Sequence, residues 1–214
     1  MPTQAALYDI SPPISEALAV YPGDTPPTRE IICRIDRGDP VNLSALHATV
    51  HLGAHADAPR HYSQDAPGMD ACDLDRYLGR CQVVRVAAHP RQLLTPADVP
   101  APITAPRVLL ATGTYPDPTR FTEDYAGLTP ELIDHLQAAG VILVGVDTPS
   151  VDAFNTEGLP AHHACLRTDI HILEGLMLSD VPPGEYELIA LPLRLVDCDG
   201  SPVRAVLRTL PTRP

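Results

Sequence analysis

The chain has 214 residues, 44% of them hydrophobic and 20% charged, with a formal net charge of −12. All 15 basic residues are arginine, which excludes Schiff-base lysines, lysine nucleophiles and a phosphate-loop lysine. The acidity argues against a nucleic-acid partner, no apolar run reaches the roughly 18 residues that cross a bilayer, and the length fits one domain over 1–214.

Taken in chain order, residues 5–10 read as a first strand. A proline-rich loop follows over 11–27 and contains Tyr21-Pro-Gly-Asp-Thr-Pro26. Residues 31–35 and 43–50 read as a strand pair turned by Arg37-Gly38-Asp39-Pro40. Residues 83–87 form a short β-branched run, and 91–106 is loop-rich with room for one helical turn. An apolar strand over 108–111 opens into Thr112-Gly113. A helix is signalled next: Thr129 caps it, Pro130 suits its first position and Gly140 its stop. Leu132, Ile133, Leu136 and Ala139 form its apolar stripe. A buried strand over 141–146 ends at Asp147, and this strand–helix–strand order predicts a parallel crossover. Residues 162–169 suit a second, short helix. Strands over 186–191 and 203–207, with Asp199-Gly200 in the loop between them, complete a mixed α/β reading with much sheet.

The segment His51-Leu-Gly-Ala-His-Ala-Asp-Ala-Pro-Arg-His61 carries the chemistry. Three imidazoles and a carboxylate within eleven residues are donors that suit zinc or manganese. In an extended segment residues 51, 53, 55 and 57 share a face, and Gly53 leaves room there for an ion. His61, beyond Pro59, suits a general acid–base because imidazole titrates near neutrality. The remaining ligands are expected in the pair His162-His163 and in Glu174. Glu174 lies in an apolar stretch where a carboxylate is costly unless paired with an arginine or bound to a cation. His47 reads as packing or support below the site, and His89, His135 and His171 as ordinary residues. Cys33, Cys72, Cys81, Cys165 and Cys198 are scattered without a C-x-x-C pair, and no basic-then-apolar leader opens the sequence. Both features fit a reducing cytoplasm rather than a disulfide framework.

The same segment resembles the H-x-G-T-H-x-D-x-P-x-H signature of the cyclase-like metal hydrolases. Tyr21-Pro-Gly-Asp-Thr-Pro26 and the stretches Ile172-Leu-Glu-Gly175, Pro182-Pro-Gly-Glu-Tyr-Glu-Leu-Ile-Ala-Leu-Pro192 and Ser201-Pro-Val-Arg-Ala-Val206 resemble the kynurenine formamidase (arylformamidase) branch. The resemblance spans nearly the full length. It implies a homodimer of single mixed-sheet α/β domains of the swivelling β/β/α type, with a two-metal site on loops at strand ends. His51, His55 and Asp57 would hold one metal; Asp57 and Glu174 would bridge; and His162, twelve residues before the glutamate, would hold the second. His61 would be the acid–base, and Tyr21 would face the substrate ring where the family has tryptophan. Leu52 and Ala54 depart from the usual Ser and Thr, and the loss of a hydroxyl at 54 removes a supporting hydrogen bond. Arg60 either attracts a substrate carboxylate or is solvated.

The implied activity is hydrolysis of N-formyl-L-kynurenine to formate and L-kynurenine with two divalent metals, zinc first and manganese as the alternative. A cyclic-amide or isatin-type hydrolase is the nearest rival. A non-catalytic metal or small-molecule binder is the rival from another class. A serine esterase is disfavoured, since the chain has no G-x-S-x-G elbow.

Overall fold

The computed structural model describes residues 6–100 and 102–211. In chain order its strands are β1 (Leu7–Asp9), β2 (Thr28–Cys33), β3 (Leu43–His47), β4 (His55–Asp57), β5 (Leu78–Arg85), β6 (Leu93–Leu94), β7 (Arg107–Ala111), β8 (Gly127–Leu128), β9 (Leu143–Val146), β10 (His171–Glu174), β11 (Gly184–Ile189), β12 (Gly200–Pro202) and β13 (Val206–Thr209). The helices are α1 (Pro130–Ala138) and α2 (Pro160–Thr168).

Nine strands join in the order β1-β13-β11-β5-β7-β9-β10-β4-β12. The middle four, β5, β7, β9 and β10, are parallel. Antiparallel strands flank them, β11, β13 and β1 on one side and β4 and β12 on the other. The result is a single α/β domain built on a curled mixed sheet. Side chains alternate cleanly across it, as the period of two requires. Val108, Leu110, Val144 and Ile172 face the helices with Leu132, Ile133, Leu136 and Ala161. Leu109, Ala111, Leu143 and Leu173 face a second core with Tyr77, Tyr186, Leu188 and Leu207.

Helix α1 forms as its sequence signals predict. The Thr129 hydroxyl accepts from the Leu132 N–H at 3.2 Å, Pro130 opens the helix, and Leu132, Ile133 and Leu136 are buried. Ala139 is exposed, so the stripe is one residue shorter than predicted. The crossover from β7 through α1 to β9 is parallel as expected.

Other expectations shift. Residue 5 of the predicted first strand lies outside the described residues. The pairing of β2 with β3 is present, but β3 stops at His47 rather than residue 50. The loop-rich stretch holds a short 3-10 turn at Pro96–Asp98 and the two-residue β6. The largest correction concerns Asp199-Gly200, expected inside a loop joining two late strands. Residue 200 instead begins β12, which crosses to the far edge of the sheet and pairs with β4. Gly200 and Pro202 carry no strand signal of their own, and long-range pairing decides their conformation.

Candidate metal centre

The site sits at the carboxyl ends of the parallel strands, where open α/β sheets place their ligands. Glu174 ends β10, and its register partner is His55 at the start of β4. Within β4, His55 and Asp57 are two residues apart and share the face that Glu174 presents. Helix α2 covers that face and brings His162 down onto it. His55, Asp57, His162 and Glu174 are all buried. Much of the donor set therefore lies on strands and a helix rather than on loops, as expected for rigid positioning.

His51 arrives differently from the prediction. The segment 51–57 is not one extended strand. Gly53 adopts a left-handed φ of +59° and turns the chain, so His51 reaches Asp57 around a bend and not by alternation. Gly53 and Gly175 (φ +66°) lie back to back. A Cβ at 175 would stand 2.1 Å from the Gly53 carbonyl oxygen, so only glycine lets the two ligand-bearing segments come this close.

The polar contacts interlock. His51 Nδ1 lies 3.0 Å from Asp57 Oδ1. His55 donates Nδ1–H to the Gly53 carbonyl at 2.8 Å, which aims Nε2 at Glu174 Oε2, 3.3 Å away. His162 Nδ1 lies 2.6 Å from Asp152 Oδ2, and its Nε2 lies 3.2 Å from Asp57 Oδ2 and 3.5 Å from Glu174 Oε1. Glu174 also accepts the Val151 N–H at 2.7 Å. It makes no pairing with arginine, and histidines fill that role instead. His163 points to solvent. His47 stands on the β2–β3 ribbon against Glu30, away from the site.

Two triads offer ligand atoms within 4.8 Å of one another, His51–Asp57–His61 and His55–Asp57–Glu174, with Asp57 common to both. Burial opposes charge on His162 and His51. Hydrogen bonds outweigh it, from Asp152 and Asp57 for His162 and from Asp57 and Asp199 for His51, raising them to about 10 and about 9. Asp57 is fully enclosed, yet bonds from His162 and His51 hold its carboxyl well below the usual range. Two buried carboxylates whose described side-chain partners are imidazoles are a donor set that fits a divalent metal. Asp57 and Glu174 would bring the compensating negative charge, and the three histidines the nitrogen donors.

His61 lies at the mouth, its ring 4.1 Å from that of His51 and 5.9 Å from that of His162. Burial, the largest influence, pushes it below the ordinary imidazole value. Its neighbour Arg60 turns to the Gln64 carbonyl and Asp197 and does not line the cavity. The cavity itself measures about 340 Å³. Tyr21 lines it, and packs on Phe121 (5.5 Å) and Phe154 (5.6 Å). Sequence reasoning missed these two phenylalanines, which are the only ones in the chain. It also missed Asp152 and Asp199; a lone aspartate in a loop carries no periodic signal.

With this geometry established, a model of the cyclase family, described as a putative cyclase, matches residues 8–153. The chain belongs to the cyclase family. Among solved structures, a potential metal-dependent hydrolase with cyclase activity is 27% identical, with a TM-score of 0.84 over 98% of this chain and 100% of that one. A predicted metal-dependent hydrolase from Bacillus stearothermophilus is also 27% identical, with a TM-score of 0.82 over 96% and 99%. An isatin hydrolase bound to the product analogue thioisatinate shares the cyclase-family fold at 22% identity, with a TM-score of 0.84 over 98% and 94%.

Proposed function

We propose that the protein is a metal-dependent amide hydrolase that converts N-formyl-L-kynurenine to L-kynurenine and formate. The observation that carries this reading is an imidazole–carboxylate cluster opening onto a wall made by Tyr21, Tyr115 and Phe121, with Phe154 packed behind Tyr21. Such a wall suits the flat ring of an aryl amide. His51, His55, Asp57, His162 and Glu174 would hold two divalent cations, zinc by preference or manganese. When bound, these supply Lewis acidity and lower the pKa of water.

The chain's own residues do the rest. Tyr21 and Phe121 orient the aryl ring so that the small formyl group points at the carboxylates. Strands β4 and β10, paired side by side, hold His55, Asp57 and Glu174 at fixed positions along one wall of the cavity. His61, at the mouth, delivers a proton to the departing aryl-amine nitrogen. Assay of the purified, metal-replete protein on N-formylkynurenine tests the reading, and absence of turnover there refutes it.

A second reading is hydrolysis of a cyclic amide such as isatin. It is favoured by the shared fold with two isatin hydrolases, one holding thioisatinate. Parallel turnover measurements on isatin and N-formylkynurenine separate the two. A metal binder without activity is distinguished by His61→Ala, which would then change nothing measurable.

The β2–β3 ribbon supports a homodimer. Ile31, Ile32, Ile35, Val41, Leu43 and Leu46 are each 49–58% exposed. Isolated two-stranded ribbons are marginal in water, so a cover is needed. Residues 28–47 carry Arg29, Arg34 and Arg37 against Glu30, Asp36 and Asp39, which leaves the ribbon neutral in a chain of net charge −12. Two like-charged copies can meet there without repulsion. The five free cysteines fit a reducing cytoplasm, and no described helix is long and apolar enough to cross a membrane.

A further inference from the structure

Asp199 has no part in the ligand set proposed above, yet its carboxylate reaches two of the site's imidazoles. Its Oδ2 lies 3.0 Å from His51 Nε2 and 3.6 Å from His61 Nδ1. His51 Nδ1 is turned to Asp57 on the other side, so His51 is held between a carboxylate inside the cluster and one outside it.

The placement is built into the backbone. The Asp199 carbonyl accepts the Ala58 N–H at 2.8 Å, directly after β4. The Cys198 carbonyl accepts the Met69 N–H at 2.8 Å, and the Asp197 N–H donates to Asp70 at 2.9 Å. Gly200 then enters β12 opposite Asp57. A Cβ at 200 would lie 2.8 Å from His51 Cε1 and 3.1 Å from Nε2, so the strand is shaped around that ring.

We propose that Asp199 is a positioning residue that fixes the His51 imidazole for metal binding and the His61 imidazole for proton delivery. A histidine that binds metal through one nitrogen needs an acceptor for the N–H of the other. Asp199 supplies that acceptor to His51. The same oxygen stands 3.6 Å from His61 Nδ1, an electrostatic contact that turns this nitrogen toward Asp199 and leaves His61 Nε2 to exchange a proton with substrate. The proposal rests on the metal-hydrolase reading.

The test uses the full-length chain stripped of metal and titrated with Zn²⁺ against a chromophoric chelator, beside steady-state kinetics. Asp199→Ala is expected to bind zinc about 10- to 100-fold more weakly, and to lose kcat with little change in KM. Asp199→Asn keeps an oxygen that accepts from His51 Nε2–H and is expected to recover most of the zinc affinity. A purely structural role would lower stability in both variants and leave the zinc affinity of folded protein unchanged. Zinc affinity and kcat of Asp199→Ala within twofold of wild type overturn the proposal, as does an Asn variant no better than Ala. Wild-type chain that takes up no metal defeats the underlying reading instead, and the proposal with it.

Discussion

Asp152 and His162 form the tightest side-chain contact in the site, 2.6 Å between Oδ2 and Nδ1. The same carboxylate accepts the backbone N–H groups of Ala161 and His162 at 2.9 and 3.2 Å. Leu159, the residue before α2, has a left-handed φ of +45° and offers no capping side chain. Asp152 therefore caps the helix from outside and orients its histidine at once. Asp152→Ala should lower stability by about 1–2 kcal/mol through the lost cap. It should also weaken metal binding about tenfold or more through the freed imidazole. Thermal unfolding and metal titration on one preparation read both effects, and a change in neither contradicts the dual role.

His55→Ala and His61→Ala should part company. His55 is buried between Asp57 and Glu174, and its loss should leave the purified protein depleted of metal by elemental analysis. His61 stands at the mouth, so its loss should preserve most metal and remove roughly 100-fold or more of the turnover. Equal metal loss in both variants would make His61 a ligand, as its grouping with His51 and Asp57 allows.

The Tyr21 ring packs on Phe121 and Phe154, and among the described residues it has no ring contact with a metal-binding candidate. Tyr21→Ala should raise KM for an aryl formamide about tenfold with kcat nearly unchanged, the pattern of lost uniform binding. Tyr21→Trp should keep the aromatic face and stay within a few-fold of wild type. A kcat effect as large as the KM effect would place Tyr21 closer to the reacting bond.

His171 faces the second core, where the Tyr77 hydroxyl lies 2.9 Å from its Nδ1. Burial, followed by the charge of Arg76, pushes its pKa down from 6.5 to about 4. Between those values the unfolded chain binds the extra proton and the folded chain does not. The stability His171 contributes as a neutral group is thus complete above pH 6.5 and lost as pH falls through 4. The full span is on the order of 3 kcal/mol. Urea unfolding across this window should show a shallower acid decline for His171→Gln than for wild type. Parallel declines would contradict the assignment.

The exposed ribbon sets a last expectation. Arginine at Ile32 and Leu46, which are 54% and 58% exposed, should convert a dimer to a monomer in sedimentation velocity while leaving the fold intact. A wild-type chain that sediments as a monomer at micromolar concentration would refute pairing through this surface.

Much of the site could be read from residues because its donors are chemically distinctive and close in sequence. His51, His55, Asp57 and His61 stand in one run, and Glu174 is conspicuous as a charge among aliphatics. Helix α1 was legible because Thr129 and Pro130 act locally. His51 nevertheless joins the cluster through the bend at Gly53 and not through strand alternation. Asp152 and Asp199 were illegible because each acts on a histidine far along the chain or around a loop. The β12 strand was hidden for the same cause: Gly200 joins the sheet only because Asp57 is there to receive it. Phe121 and Phe154 lie on separate loops and meet Tyr21 only after folding.

Strand β4 lies between β10 and β12, and both neighbours are encoded far downstream of it. A ribosome that has just finished residue 61 has released most of the imidazoles of the centre but none of the scaffold that will hold them. The sheet cannot be completed beyond β4 until residue 202 has left the exit tunnel and taken its place at the edge. If the cluster holds metal as proposed, a chain truncated before β12 should retain it poorly even with every proposed ligand present.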